Sequence, residues 1–335
     1  MQKDSNRKIN NNIGKDLSMT FLYKMMLIRA FENTIREYKL RRQIYGMAHC
    51  YNGQEAIAVG ACTALKKKDY VISNHRPHGH AIAKGVNISK IMAEIFGKST
   101  GTSGGKGGSM HICDKNVRFL PSTGIVGSGI PIACGTAFAS KYKKENNVTC
   151  VFFGDGAANE GVLHECLNLA SIWKLPIIFI LEDNGLAVTT QTKCTSACLD
   201  YTTFSLAYNL KGVKVNGQDV EEVYMAVLEA ADLARNSNCP TLIQAKTIRF
   251  CEHAEGEYYL KMRDSNYRDN NVLLKQIEKD CPIKKYIKIL QDRKIITTSE
   301  ILELEQMVNN EVNNSIEFAF QSSSPDIGSA FQNIY

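Results

Sequence analysis

The chain has 335 residues, 44% hydrophobic and 22% charged, the make-up of a globular protein with room for a sizeable core. Its net charge of +6 is carried by lysines spread along the chain, so a nucleic-acid partner is not indicated. No apolar stretch approaches the ~20 residues of a membrane helix, and the longest, Leu175 to Leu181, is strand-sized.

The opening "MQKDSNRKINNNIGKD" is polar, lacks an apolar signal core and carries acids that argue against a transit peptide. We therefore expect a loose tail over residues 1–15 and a cytoplasmic protein. Apolar positions at helical spacing predict a helix over 18–45, with Ser18 or Thr20 as its cap. Two more helices are expected at 54–65 and 88–97. The Gly- and Ser-rich stretch "GKSTGTSGGKGGSMH" follows, within a loop running to about Gly129. Loops of this length are usually functional or mobile, and a lid that orders over a ligand is the expectation here.

From Ile130 the pattern changes. A small-residue helix (Pro131 to Lys143) leads to the strand Val148 to Phe153, a helix from about Glu160 to Trp173, and the strand "LPIIFILED". Both strands are apolar throughout, as strands covered on both faces of a parallel sheet must be. A helix (Val220 to Ala234) and a strand (Thr241 to Thr247) extend the series. Amphipathic helices with a break near Pro282 fill about Asn270 to Phe320. The expected fold is α/β: one doubly wound parallel sheet flanked by helices, with a helical C-terminal region, as a single domain over 16–330. Eleven scattered cysteines read as free, mostly buried thiols of a reducing compartment. Cys194 and Cys198 lack the second pair or histidine that a zinc site needs.

The strand "VTCVFFGDGAANEG" ends on Asp155 between Gly154 and Gly156. Asn184 ends the next apolar strand, about 30 residues on, the length of one crossover unit. Ligands of a parallel sheet bind beyond the carboxyl ends of its strands. If these strands are neighbours, a carboxylate, an amide oxygen and a nearby backbone carbonyl form a hard oxygen set suited to Mg²⁺. The glycines let backbone approach a diphosphate, and the helix after Asn159 offers N–H groups. A helix cap is the bland reading of Asp155; the paired Asn184 favours metal. "GDGAAN" lacks the third glycine of a dinucleotide fingerprint, and "TGTSGGKG" departs from a triphosphate-binding loop at Thr100 and Gly107.

Gly-Asp-Gly followed by this asparagine resembles the thiamine diphosphate motif. "HCYNGQEA", "SNHRPHGHAIAKG", "GGKGGSMH", "STGIVGSGIP", "FFGDGAANEG", "SIWKLPIIFILEDNG" and "KTIRFCEHAEG" then occur in the order of one family. Over roughly Asp16 to Ala330 the chain resembles the alpha subunit of the decarboxylating first component of 2-oxo acid dehydrogenase complexes. Pyruvate, branched-chain and acetoin enzymes make up that group. The resemblance implies a thiamine diphosphate-binding fold. Asp155, Asn184 and the Leu186 carbonyl would hold Mg²⁺, and Gly154, Gly156 and Ala157 would line the diphosphate. His75 and Arg76 stand where the family places a tyrosine and an arginine on that diphosphate, and Arg76 suits phosphate chemically. Gly124 and Val126 would contact the aminopyrimidine, with Met47 beside the cofactor. His49, Arg249 and His253 match residues facing the substrate or the acyl acceptor, and His78 lies in a pocket motif. Six of the seven histidines fall in or beside these motifs, a clustering that favours function over structure.

The resemblance further implies a beta subunit, which supplies the glutamate that activates the aminopyrimidine, in an α2β2 heterotetramer. It also implies a lipoylated acyltransferase as acceptor and a small 2-oxo acid substrate, with "HRPHGHAIAKG" and "EDNG" leaning toward pyruvate or acetoin. Asp183 departs from the family by replacing an asparagine; it would cost diphosphate affinity unless it points away or is paired. "AEGEYY" carries no serine where mitochondrial relatives are phosphorylated. Two other readings stay open: an acyl or aldehyde transferase of a biosynthetic pathway without a lipoyl partner, and a non-catalytic scaffold paralogue.

Overall fold

The computed structural model describes residues 13–255 and 268–332. Its strands are β1 (Tyr70–Ile72), β2 (Thr149–Gly154), β3 (Ile177–Asp183), β4 (Leu186–Ala187), β5 (Thr190–Gln191), β6 (Lys211–Asn216) and β7 (Thr241–Lys246). Five of them form one wholly parallel sheet in the order β1-β2-β3-β7-β6, while β4 and β5 make a small antiparallel hairpin. The two apolar runs are neighbours as expected, with Gly154 opposite Glu182. Alternate residues of each strand serve two cores. Cys150, Phe152, Ile178 and Ile180 point into the larger one, and Val151, Phe153, Phe179 and Leu181 into the other. That is why no polar alternation marks these strands.

The helices are α1 (Lys15–Leu40), α2 (Glu55–Ala64), α3 (His78–Lys84), α4 (Ile88–Ile95), α5 (Gly129–Tyr142), α6 (Gly161–Ile172), α7 (Thr203–Ala207) and α8 (Val220–Ser237). Three more complete the described residues: α9 (Asn270–Asp280), α10 (Pro282–Asp292) and α11 (Thr298–Gln321). Helices α1, α2 and α8 bury their apolar faces in the larger core, and α5 and α6 cover the opposite face of the sheet. The sheet is thus wound on both sides. Pro282 opens α10, where its missing N–H costs nothing. Thr297 and Glu300 form a reciprocal capping box at the start of α11.

Several boundaries differ from those expected. Helix α1 starts at Lys15, whose ammonium pairs with Glu300 at 2.7 Å, and residues 1–12 of the expected tail lie outside the described residues. It stops at Leu40 rather than 45, because Arg42 turns left-handed (φ 57°) and Ile44 folds back into the core. Strand β1 is too short to carry a periodicity, and β6 is a half-exposed edge. Neither was predicted.

The Gly-rich stretch is no open lid here. It winds around the carboxylate of Glu94, a fully buried residue of α4. Oε2 accepts from the Ser103 and Gly105 amides (2.7 and 2.9 Å) and Oε1 from those of Gly107 and Gly108 (2.7 and 3.1 Å). Gly105 has φ +77°, and a Cβ there would stand 2.6 Å from the Gly97 carbonyl carbon. The chain after α11 crosses the outside of this loop. Ser99 donates its amide to the Ser323 carbonyl at 3.0 Å, and Lys106 Nζ donates to the carbonyls of Ser329 and Gln332 at 2.6 and 3.1 Å. Tyr38, Phe96 and Phe320 pack their rings 5.3–5.7 Å apart beneath it.

Candidate active site

A cavity of about 280 Å³ opens at the carboxyl ends of β1, β2 and β3. It is walled by Ser73 to Arg76 after β1, Gly154 to Ala157 at the end of β2, Asn184 and Leu186 to Val188 after β3, and His253 beyond β7. Thr123 and Ile125 to Gly127, from the loop before α5, close another side. The cavity therefore sits where a parallel sheet binds ligands.

Asp155 is 1% exposed. Its Oδ1 accepts from the Gly156 amide (2.9 Å) and its Oδ2 from the Gly185 amide (2.6 Å). No lysine or arginine among the described residues pairs with it. Burial, and secondarily the charge of Asp183, push its pKa up to about 6 against the pull of these amides. A buried carboxylate in that condition fits a cation. Asn184 faces the same cavity, its Oδ1 taking the Leu186 amide at 3.1 Å and its Nδ2 donating to Gln54 Oε1 at 3.1 Å. Asp183 points elsewhere: its Oδ2 accepts from Gln244 Nε2 (2.8 Å) and Lys246 Nζ (3.0 Å). The departure at Asp183 is thus a paired carboxylate outside the cavity wall. After Asp155 the chain makes a 3-10 turn, Ala157–Asn159, before α6 begins at Gly161. The cavity therefore meets that turn and not the first turn of α6.

At the other end three imidazoles converge. The His49 ring lies 4.8 Å from that of His75 and 4.9 Å from that of His253, both edge-on, and His75 and His253 are 5.2 Å apart. His49 is 3% exposed and its Nδ1 is buried without a hydrogen-bond partner. Burial first, and then the positive charge of Arg76, pull the pKa of His49 down to about 2 and that of His253 to about 3, and lower that of His75 as well. Burial and the Arg76 charge thus favour the neutral form of these rings. Arg76, 4% exposed, donates to the carbonyls of Cys50 (2.6 Å) and His253 (3.1 Å). Arg249 donates to those of Cys251 (3.2 Å) and Val188 (2.8 Å).

Of the residues singled out in the sequence, His75, Arg76, Val126, Gly154, Asp155, Gly156, Ala157, Asn184, Leu186 and His253 wall the cavity. His49 and Arg249 stand behind this wall, His49 against the rings of His75 and His253. Gly124 is outside it, 3.4 Å (as a Cβ) from Met110 Sδ, and Met47 is a half-exposed residue away from it. His78 is fully buried, with Nδ1 on Glu32 Oε2 (2.9 Å) and Nε2 on Ser109 Oγ (3.0 Å). Both its nitrogens are engaged, and its reach to the cavity is indirect. Glu32 also accepts the Tyr51 amide at 2.9 Å.

Sequence reading overlooked Gln54, Asn74 and Glu182, which also wall the cavity. Glu182 accepts from the Tyr51 hydroxyl and from Asn74 Nδ2 (3.1 Å), and meets His80 Nε2 at 3.1 Å, whose Nδ1 in turn meets Ser73 Oγ at 2.8 Å. Burial alone would raise the Glu182 pKa, but His80, Tyr51 and Asn74 outweigh it and hold the carboxyl below its usual range. Each overlooked residue lies inside a quoted motif, so position was a signal; its role was not. Among the described residues the cysteines are free thiols, most of them buried, and the only group of three histidine, cysteine or carboxylate side chains whose donor atoms lie within 4.8 Å of one another is His49, His75 and His253. No described helix is long and apolar enough to cross a membrane.

Residues 23–327 match the family described as Dehydrogenase E1 component. The alpha subunit of acetoin:2,6-dichlorophenolindophenol oxidoreductase from Bacillus subtilis is 38% identical over 97% of this chain and 95% of its own length. The pyruvate dehydrogenase E1 component subunit alpha of Porphyra purpurea is 37% identical over 94% of this chain and 92% of its own. That of Rhizobium meliloti is 35% identical over 93% and 88%. The chain belongs to the dehydrogenase E1 component family, aligned over nearly its whole length with that family's alpha subunits.

Proposed function

We propose that the chain is the alpha subunit of a thiamine diphosphate- and Mg²⁺-dependent dehydrogenase acting on pyruvate or acetoin and passing the acyl group to a lipoyl acceptor. The observation that carries this reading is the placement of Asp155, Asn184 and Leu186 at the adjoining ends of β2 and β3, on the wall of one cavity with Arg76 and His75. Asp155 and Asn184 bring hard oxygens, and the buried Asp155 carboxylate is without a basic partner among the described residues, so the set fits Mg²⁺. Gly154 is open to the cavity, where a Cβ would meet nothing within 4 Å, so backbone there can approach a diphosphate.

When bound, thiamine diphosphate supplies the carbon nucleophile and the electron sink. This chain's residues then have distinct tasks. Asp155, Asn184 and the Leu186 carbonyl would hold the metal. Arg76 and His75 would bind the diphosphate, and Val126 would pack on the cofactor. His253, on the cavity wall, would donate an N–H hydrogen bond to oxygen charge that develops on the substrate, and His49, packed edge-on behind it, would orient that ring. Arg249 braces the Val188 turn and the Cys251 carbonyl, so it acts on this site by positioning.

A beta subunit in an α2β2 heterotetramer completes the site. Two observations support it. The carboxylates on the cavity wall are committed, Asp155 to backbone amides and Glu182 to Tyr51, His80 and Asn74. Ile125, Val126 and Val188 at the cavity rim are 72%, 55% and 42% exposed, apolar surface of the kind that a partner covers. The test is calorimetric titration of Mg²⁺ and thiamine diphosphate into the chain co-expressed with its beta subunit, beside Asp155→Ala. Mg²⁺-dependent binding lost in the variant is expected. An assembled complex that binds no cofactor would sink the catalytic reading and favour a scaffold.

A further inference from the structure

We propose that His49, His75 and His253 form a second metal site, one that takes a borderline transition cation of the Zn²⁺ class. One donor atom from each ring lies within 4.8 Å of the others. A tetrahedral ion with bonds of ~2.0–2.1 Å to nitrogen sets its donors about 3.3 Å apart. The donor nitrogens must therefore close by up to about an ångström and a half, which the rings, already 4.8–5.2 Å apart between centroids, reach by turning. His75 and His253 are only half-buried on the cavity wall, so their side chains have room to turn inward. His49 is the fixed member: it is 3% exposed, and its Nδ1 is buried with no hydrogen-bond partner. An orphaned buried nitrogen is costly unless it finds a hydrogen-bond partner or, through its lone pair, a cation.

The chemistry separates this site from the Asp155 set. Imidazole nitrogens suit Zn²⁺, Co²⁺ and Ni²⁺, whereas carboxylate, amide and carbonyl oxygens suit Mg²⁺. Three protein donors with an open face toward the cavity leave a fourth position for water or a small anion. The nearby guanidinium groups of Arg76 and Arg249 oppose a bare cation, so an anion in the fourth position is favoured. They do not compete as ligands, since both donate to backbone carbonyls. A bound ion would hold the ring nitrogens that the reaction needs, so it would act as an inhibitor at the substrate end of the cavity. The site itself does not depend on the thiamine diphosphate reading, because its donors are this chain's own rings.

The experiment is a titration of Co²⁺ into the metal-free full chain, alone and with its beta subunit, followed by visible absorption. The expected result is an intense tetrahedral cobalt spectrum at one ion per chain, chased by Zn²⁺ and preserved in Asp155→Ala. His75→Phe should weaken binding by at least about tenfold. His253→Gln is the second variant, used if His75→Phe does not fold. No tetrahedral spectrum, or one unchanged in both histidine variants, overturns the proposal. So does a thiolate-to-cobalt band lost in Cys194→Ser, which would put the ion on the exposed cysteine. Cofactor binding is read separately by calorimetry, so neither reading's failure is mistaken for the other's.

Discussion

Replacing Glu94 by Gln isolates what one carboxylate does for a whole loop. The two oxygens accept four backbone amides, from Ser103, Gly105, Gly107 and Gly108. The variant keeps one oxygen and turns an NH₂ toward the other two amides. Two charge-assisted bonds are lost, each worth roughly 1.5–3 kcal/mol, and two N–H groups face a donor. The loop amides are half-buried, so water recovers part of this, leaving a loss of about 2–4 kcal/mol. The rest of α4 is untouched, so the cost falls on the loop's closed state before the domain's. Hydrogen exchange on the full chain should show protection of the 103–108 amides falling roughly 30- to 700-fold, with the β2 and β3 amides unchanged. Native protection in that loop, or equal loss in the sheet, would refute the idea that Glu94 is the loop's local anchor. Because Ser109 bonds His78, the variant should also free the His78 ring, visible as a shifted imidazole resonance.

Gly79→Ala places a Cβ inside the van der Waals envelope of the fully buried Tyr51 ring. Urea unfolding should show a loss of about 1–3 kcal/mol or more, and a native midpoint would contradict that packing. Thr297→Ala removes the α11 capping box and should cost about 1 kcal/mol in the same assay. The histidine corner makes stability depend on pH. His49 and His253 have pKa values lowered from 6.5 to about 2 and about 3. The unfolded chain thus binds more protons than the folded one at acid pH, and stability rises with pH there. This contribution is complete above about pH 6.5 and drains away as pH falls toward the folded values. Urea midpoints at pH 7.5 and 5 should differ less in His253→Gln than in the native chain. Imidazole resonances of His49 and His253 that titrate near pH 6.5 would contradict the neutral assignment.

The placement of Asp155 and Asn184 at adjoining strand ends was readable because each ends a long apolar run. A run of that kind declares its own burial on both faces, and the crossover length between the two makes them neighbours. The histidine motifs were readable as a set, but not their geometry: His78 reads like His75 in sequence, yet it is sealed between Glu32 and Ser109. The roles of Glu32, Glu94 and Glu182 were invisible for one physical reason. Their burial rests on partners 19 to 131 residues away or on loop amides, and no local pattern announces such a partner. The Gly-rich stretch misled for the same reason. Its glycines read as freedom, and in the structure they are what lets the backbone wrap one side chain tightly.

The outer clasp on that loop has a consequence for synthesis. Lys106 waits for a carbonyl 223 residues further on, and Ser99 for one 224 residues on. At a translation rate of ~5–20 residues per second, roughly 10–45 s separate the emergence of the loop from that of its clasp. All five strands of the parallel sheet, which end at Lys246, are made before then. A nascent chain can thus close its sheet and gather the loop around Glu94 while the loop's outer surface stays uncovered. Proteolytic nicking of stalled nascent chains should therefore map to residues 99–106 until the segment after α11 has been made.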